Sequence, residues 1–111
     1  MPIYRTQDSS KDQRLQTRWY QNDYKEAQQA VLNVLKNFGF ELVHQDDNFG
    51  EFIFKRKEDT MDVRVISLQR RQTAIDFVFN VSSFFDFGRG KTIISELYQR
   101  LDKMLISKKF V

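Results

Sequence analysis

Met61-Asp62-Val63-Arg64-Val65-Ile66-Ser67-Leu68-Gln69, then Arg70-Arg71-Gln72-Thr73, then Ala74-Ile75-Asp76-Phe77-Val78-Phe79-Asn80-Val81-Ser82 is the stretch whose reading decides the fold. Met61, Val63 and Val65 recur at every second position, and so do Ile75, Phe77, Phe79 and Val81. A period of two lines one face of a β-strand with apolar side chains. The short link at 70–73 joins the two runs as antiparallel neighbours. Two further runs lie upstream, 40–45 with Phe40 and Leu42 alternating and 51–57 with Phe52 and Phe54. The turn-forming compositions Asp46-Asp47-Asn48-Phe49-Gly50 and Glu58-Asp59-Thr60 separate them. Four consecutive strands with short links make an antiparallel meander.

Working outward, the period changes. Tyr24, Ala27, Val31, Val34, Leu35 and Phe38 form one stripe at helical spacing. Asp23 is a good N-cap, Glu26 stands at the capping-box position, and Gly39 falls where a left-handed C-cap is wanted. These signals predict a helix over 23–38. Ile94, Leu97, Tyr98, Leu101, Met104 and Leu105 predict a second at about 92–107. Leu15, Thr17 and Trp19 alternate with Gln16, Arg18 and Tyr20, as in a short strand at a sheet edge. Residues 1–13 show no periodicity and are expected to be a flexible N-terminal tail, leaving 14–111 as a single α+β domain. The expected order is (β)-α-β-β-β-β-α, a four- to five-stranded antiparallel sheet with both helices packed on one face.

Composition agrees with one domain. The chain has 111 residues, 41% of them hydrophobic, with eleven Phe. The absence of Cys excludes disulfides, thiolate metal sites and thiol nucleophiles. The 15 acidic residues are interspersed among 18 basic ones, for a net charge of +3. Only short basic runs occur, Lys55-Arg56-Lys57, Arg70-Arg71 and Lys108-Lys109, so nucleic acid is not an expected partner. A weak binder would have to use Arg64, Arg70, Arg71 and Lys91. The N-terminal residues carry no apolar signal core and no run approaches the ~20 apolar residues of a membrane span. The expected location is the cytoplasm.

Gln16-Thr17-Arg18-Trp19-Tyr20, Ala30 and Val34, Phe38-Gly39-Phe40, Asp46-Asp47 with Gly50-Glu51, and Leu97-Tyr98 with Leu101, Lys103 and Leu105 form a pattern. It resembles small bacterial domains with a Q-T-R-x-[FY], L-x-x-x-G-F and D-x-x-x-G signature, found in some envelope lipoproteins and cytosolic proteins. The resemblance covers about residues 14–106. It implies a fold similar to the helix-grip or TATA-binding-protein-like arrangement and a bacterial source. Unlike the lipoprotein members, this sequence shows no lipoprotein signal and no Cys to lipidate. The resemblance implies no catalytic residues.

Catalytic constellations are sparse. The single His, His44, falls on the Phe40/Leu42 side of its strand, with nothing placing a Ser beside it. Asp46, Asp47 and Glu51 flank a turn without the spacing of a calcium loop. Asp62 and Asp76 occupy outward strand positions, where pairing with Arg64 or Lys55 is expected. No catalytic residue, metal or cofactor is expected.

Three binding surfaces remain. Gly88-Arg89-Gly90-Lys91-Thr92 joins glycines, cations and a hydroxyl at a helix N-terminus, which suits an anion, with Thr92 as the expected N-cap. It is not a Walker A loop, because Phe85 stands where the first Gly belongs. Phe77, Phe79, Phe85, Tyr98 and Leu101 could line a pocket between sheet and helices for a small apolar ligand or lipid, with Phe84, Phe85 and Phe87 clustered beside it. The third is the second face of the sheet, with Val43, Ile53, Arg64, Ile66, Leu68 and Val78 as interface candidates among Lys55, Ala74 and Asn80, and Arg70 at the rim. Such an apolar face marks a contact with another protein or a second copy. The preferred expectation is therefore a non-enzymatic interaction or scaffold module using this open face, as a homodimer. A hydrophobic-ligand carrier and a weak nucleic-acid binder are the alternatives.

Overall fold

A computed structural model describes residues 2–83 and 85–108 of the chain. The period-two runs become the central hairpin, β5 (Asp59–Gln69) against β6 (Gln72–Asn80), with β4 (Glu51–Arg56) and β3 (Glu41–Asp46) added on the β5 side. All pairings are antiparallel. On its other side β6 is covered by two short strands end to end, β1 (Ile3–Arg5) opposite its C-terminal part and β2 (Arg18–Tyr20) opposite its N-terminal part. The sheet therefore has six strands, more than the four or five expected. Residues 3–5, expected to lie in a flexible tail, are paired to β6 instead. Three residues are too few to show a period, so the strand has no sequence signature of its own.

Helices α1 (Tyr24–Asn37) and α2 (Arg89–Met104) pack on one face. At the start of α1 the Asp23 N–H donates to Glu26 Oε1 at 3.2 Å. At its end Gly39 takes φ +92, Phe40 N–H reaches Leu35 O and Gly39 N–H reaches Lys36 O. That pair of hydrogen bonds is a Schellman motif, and the positive φ is why glycine stands there. The sheet contributes Phe52, Phe54, Met61, Val63, Ile75, Phe77 and Phe79 to the core, all essentially inaccessible, and the helices contribute Val31, Leu35, Ile94, Leu97, Tyr98 and Leu101. Each such burial is worth about 1.5–3 kcal/mol, which is what holds two helices on a single sheet face. No helix among the described residues is long and apolar enough to cross a membrane.

Among the described residues, the other face of the sheet bears no helix. Which side chains reach it follows from the register. Crossing the strands, one row runs Arg5, Val78, Asp62, Ile53, His44 and the next runs Asp76, Arg64, Glu51.

Candidate functional site

The expected pocket residues separate into two groups. Phe77, Phe79, Tyr98 and Leu101 are fully buried, and Phe77 meets the Tyr98 ring edge-on at 4.9 Å. The Tyr98 hydroxyl donates to Ile75 O at 2.7 Å, satisfying the one polar atom that burial would strand. Phe85 instead is 72% exposed and stacks on Phe87. Phe85 and Phe79 come together only at an open groove of about 490 Å³, which Arg56, Asp59 and Arg89 also line. Phe84 lies outside the described residues, as do Met1 and 109–111.

At 88–92 the helix N-terminus already holds an anion. Asp86 accepts from Gly88 N–H at 3.2 Å, from Gly90 N–H at 3.0 Å and from the Tyr4 hydroxyl at 2.6 Å. Burial pushes the Asp86 carboxyl up, but these hydrogen bonds outweigh it and hold the group below its ordinary value. The same bond, with burial and the adjacent charge, pushes the Tyr4 hydroxyl up to about 12. The two glycines have separate reasons. Gly88 is the N-cap at φ 78, while a Cβ on Gly90 would stand 2.2 Å from the Tyr4 ring. The N-cap is thus Gly88, not Thr92, because the capping acceptor comes from Asp86 two residues earlier. Lys91 pairs with Asp12 at 3.5 Å. The run expected to receive an external anion is satisfied by the chain's own carboxylate.

The acidic turn is likewise occupied. Asp47 accepts from Tyr24, Gln28 and Gln45, and Asp46 from the Asn48 N–H. His44 lies opposite Ile53 on the open face, not on the Phe40/Leu42 side. The cause is a β-bulge between Leu42 and His44, which inserts Val43 and reverses the alternation beyond it.

The open face is assembled from β3 to β6. Ile53 and Val78 flank Asp62 across the strands, and Arg64 and Ile66 follow Asp62 along β5. Leu68 sits at a second register shift and is 63% exposed; Val43, in its bulge, is 55% exposed. The charged side chains cut through the apolar ones instead of rimming them. Arg64 bonds Glu51 at 3.3 Å. Asp62 pairs with neither Arg64 nor Lys55 in the way the sequence suggested. Its carboxyl is pushed up to about 6, first by burial under its neighbours and then by Glu51, and its buried Oδ1 has no hydrogen-bond partner. Asp76 instead accepts the hydroxyls of Thr6 and Thr17, each at 2.6 Å, where the β1/β2 edge is interrupted.

Sequence reasoning missed two features here. Trp19 stands opposite Ala74, which stands opposite Ile66, so an aromatic joins the aliphatic end of this face. The outward place of Trp19 was readable only from its inward neighbours. Arg18 and Tyr20 face the helices because Asp102 on α2 receives both, at 3.0 and 2.8 Å. The basic candidates Arg64, Arg70, Arg71 and Lys91 do not gather. Arg64 lies mid-strand, Arg70 and Arg71 in the β5–β6 turn, and Lys91 on α2. No protein-family model matches the chain, and no curated protein matches it in sequence.

Proposed function

We propose that the chain is a non-catalytic interaction module of the bacterial cytoplasm that acts through the helix-free face of its sheet, with a second copy of itself as partner. The observation that carries this reading is the composition of that face. Ile53, Ile66, Val78 and Trp19 share it with a row in which acidic, basic and acidic residues alternate, Asp76, Arg64 and Glu51, and exposed Leu68 lies at the register shift just beyond Ile66. Exposed aliphatic side chains gathered on a helix-free sheet face suit a self-complementary contact with a second copy. The engagement of Asp86, Asp102 and Asp47 in internal hydrogen bonds supports the non-catalytic part of the reading. Kinship with the small helix-grip-like bacterial domains belongs to the same proposal, on the strength of the shared Gln16–Tyr20 and Phe38-Gly39-Phe40 segments.

Native mass spectrometry at about 10 µM protein tests it. The expected result is a dimer for the unmodified chain and a monomer for the double variant Ile66→Lys, Leu68→Lys, with unchanged circular dichroism. A monomeric unmodified chain overturns the reading, and so does a dimer indifferent to both substitutions.

A further inference from the structure

The β3 edge of the sheet carries an inference independent of the open face. β3 ends the sheet, so among the described residues no strand pairs with the N–H and C=O groups on its outer side. All of its residues but Asp46 are exposed. Such an edge is a template for one more strand. Beneath it, between α1 and β3, lies an apolar groove of about 480 Å³ lined by Leu32, Phe40, Leu42 and Phe54, with Lys36 at its rim. The groove is open to solvent and Leu42 is 38% exposed in it. On the opposite side of the same strand stand Glu41, His44 and Asp46, and Asp47 follows in the turn.

We infer that the β3 edge binds an extended segment of another protein in which apolar residues alternate with Lys or Arg. The alternation follows from the pleat. An added strand turns every second side chain toward α1 and the others toward the open face. The side turned to α1 meets the apolar groove, whose only cation, Lys36, repels a second one. The other side meets Glu41 and Asp46. The charge pattern also argues against a second copy at this edge. Full antiparallel overlap of β3 with itself sets Glu41 against Asp46 at both ends, and like charges directly opposite are destabilising. The inferred partner replaces both repulsions by attractions.

The probe is a fluorescein-labelled peptide of about ten residues alternating Val and Lys, with a second peptide in which Glu replaces Lys. Binding of the Val/Lys peptide by fluorescence anisotropy is expected at low salt, with the Val/Glu peptide weaker by about tenfold or more. In a ¹⁵N-labelled sample the shifted amides are expected in 41–46 and in the adjoining part of α1. Glu41→Lys, an exposed charge reversal, is expected to weaken the Val/Lys peptide and strengthen the Val/Glu peptide while leaving circular dichroism unchanged. Equal binding of the two peptides overturns the inference. So does absence of binding, a shift map on β1/β2 or on the open face, or self-association that Glu41→Lys alone abolishes. The Ile66→Lys, Leu68→Lys variant is expected to bind the peptide normally, which separates this site from the dimer face.

Discussion

Along the β1/β2 edge, side chains from separate segments of the chain close the sheet, whereas along β3 five residues in a row are left for solvent to cover. Tyr4 reaches Asp86, Thr6 and Thr17 reach Asp76, Arg18 and Tyr20 reach Asp102, and the Asn22 side chain takes the Ile106 N–H at 2.7 Å. The excursion at 7–17 interrupts the two half-strands, closes on itself through Gln7 N–H to Leu15 O and is tied to α2 by Lys91 on Asp12. At β3 the devices among the described residues are local ones, the bulge at Val43 and the charges of Glu41 and Asp46. Native sheets blunt their edges with covering segments, bulges and charge. This sheet places its covering segments on one side. The contrast teaches that an edge is closed by long-range polar contacts, and that its absence elsewhere is a local property of β3.

The largest test of the contrast is a matched pair of truncations. Tyr20→Ala removes a fully buried ring and one of the two hydrogen bonds that Asp102 accepts, and should cost about 4 kcal/mol. Leu42→Ala on the exposed edge should cost about 1 kcal/mol, both read from urea unfolding midpoints. Similar losses for the two would show that the edges are equally committed to the fold.

A middle-sized effect is expected at Asp76. Asp76→Ala leaves the Thr6 and Thr17 hydroxyls without their common acceptor and should cost about 2 kcal/mol. Amide exchange over 7–17 should quicken while that of 41–46 stays as it was, since β3 has no share in the contact. Uniform quickening would mean that the closed edge does not open by itself.

The smallest effect sits between the edges, at Asp62. Burial and the neighbouring Glu51 push its carboxyl from the ordinary 3.8 up to about 6, so the folded chain binds the proton more tightly. The penalty is absent below about pH 4, grows as pH rises to about 6, and is complete above it. Asp62→Asn should therefore stabilise the fold at pH 7 by on the order of 1 kcal/mol, solvent screening included, and change nothing at pH 3.5. Equal effects at both pH values would assign the gain to packing.

What the sequence discloses and what it hides divides along the same line. Ile75, Phe77 and Phe79 repeat within one strand, and Glu26 and Gly39 act within a turn of their helix, so both helices and the meander are legible from neighbours alone. The six-stranded result needed contacts between residues far apart. Ile3–Arg5 is a strand only because β6 lies beside it. The polar Arg18 points inward only because Asp102 is there to meet it. The candidate surface suffered the same way. The open face was readable from the alternation of β5 and β6, but one inserted residue, Val43, carried His44 to the other side. The 88–92 run gave a true helix start and a false vacancy, since its filling by Asp86 is a matter of tertiary placement.

The N-terminal strand also has a history in time. A ribosome makes β1 first, yet Thr6 must wait for Asp76, 70 residues later, and Tyr4 for Asp86, 82 residues later. Loop-closure entropy makes such distant pairings late ones. Once β6 is made, its outer edge stays bare until β1 and β2 dock along it. The exposed edge of the finished protein is β3, and β6 is a second bare edge for as long as β1 and β2 are undocked.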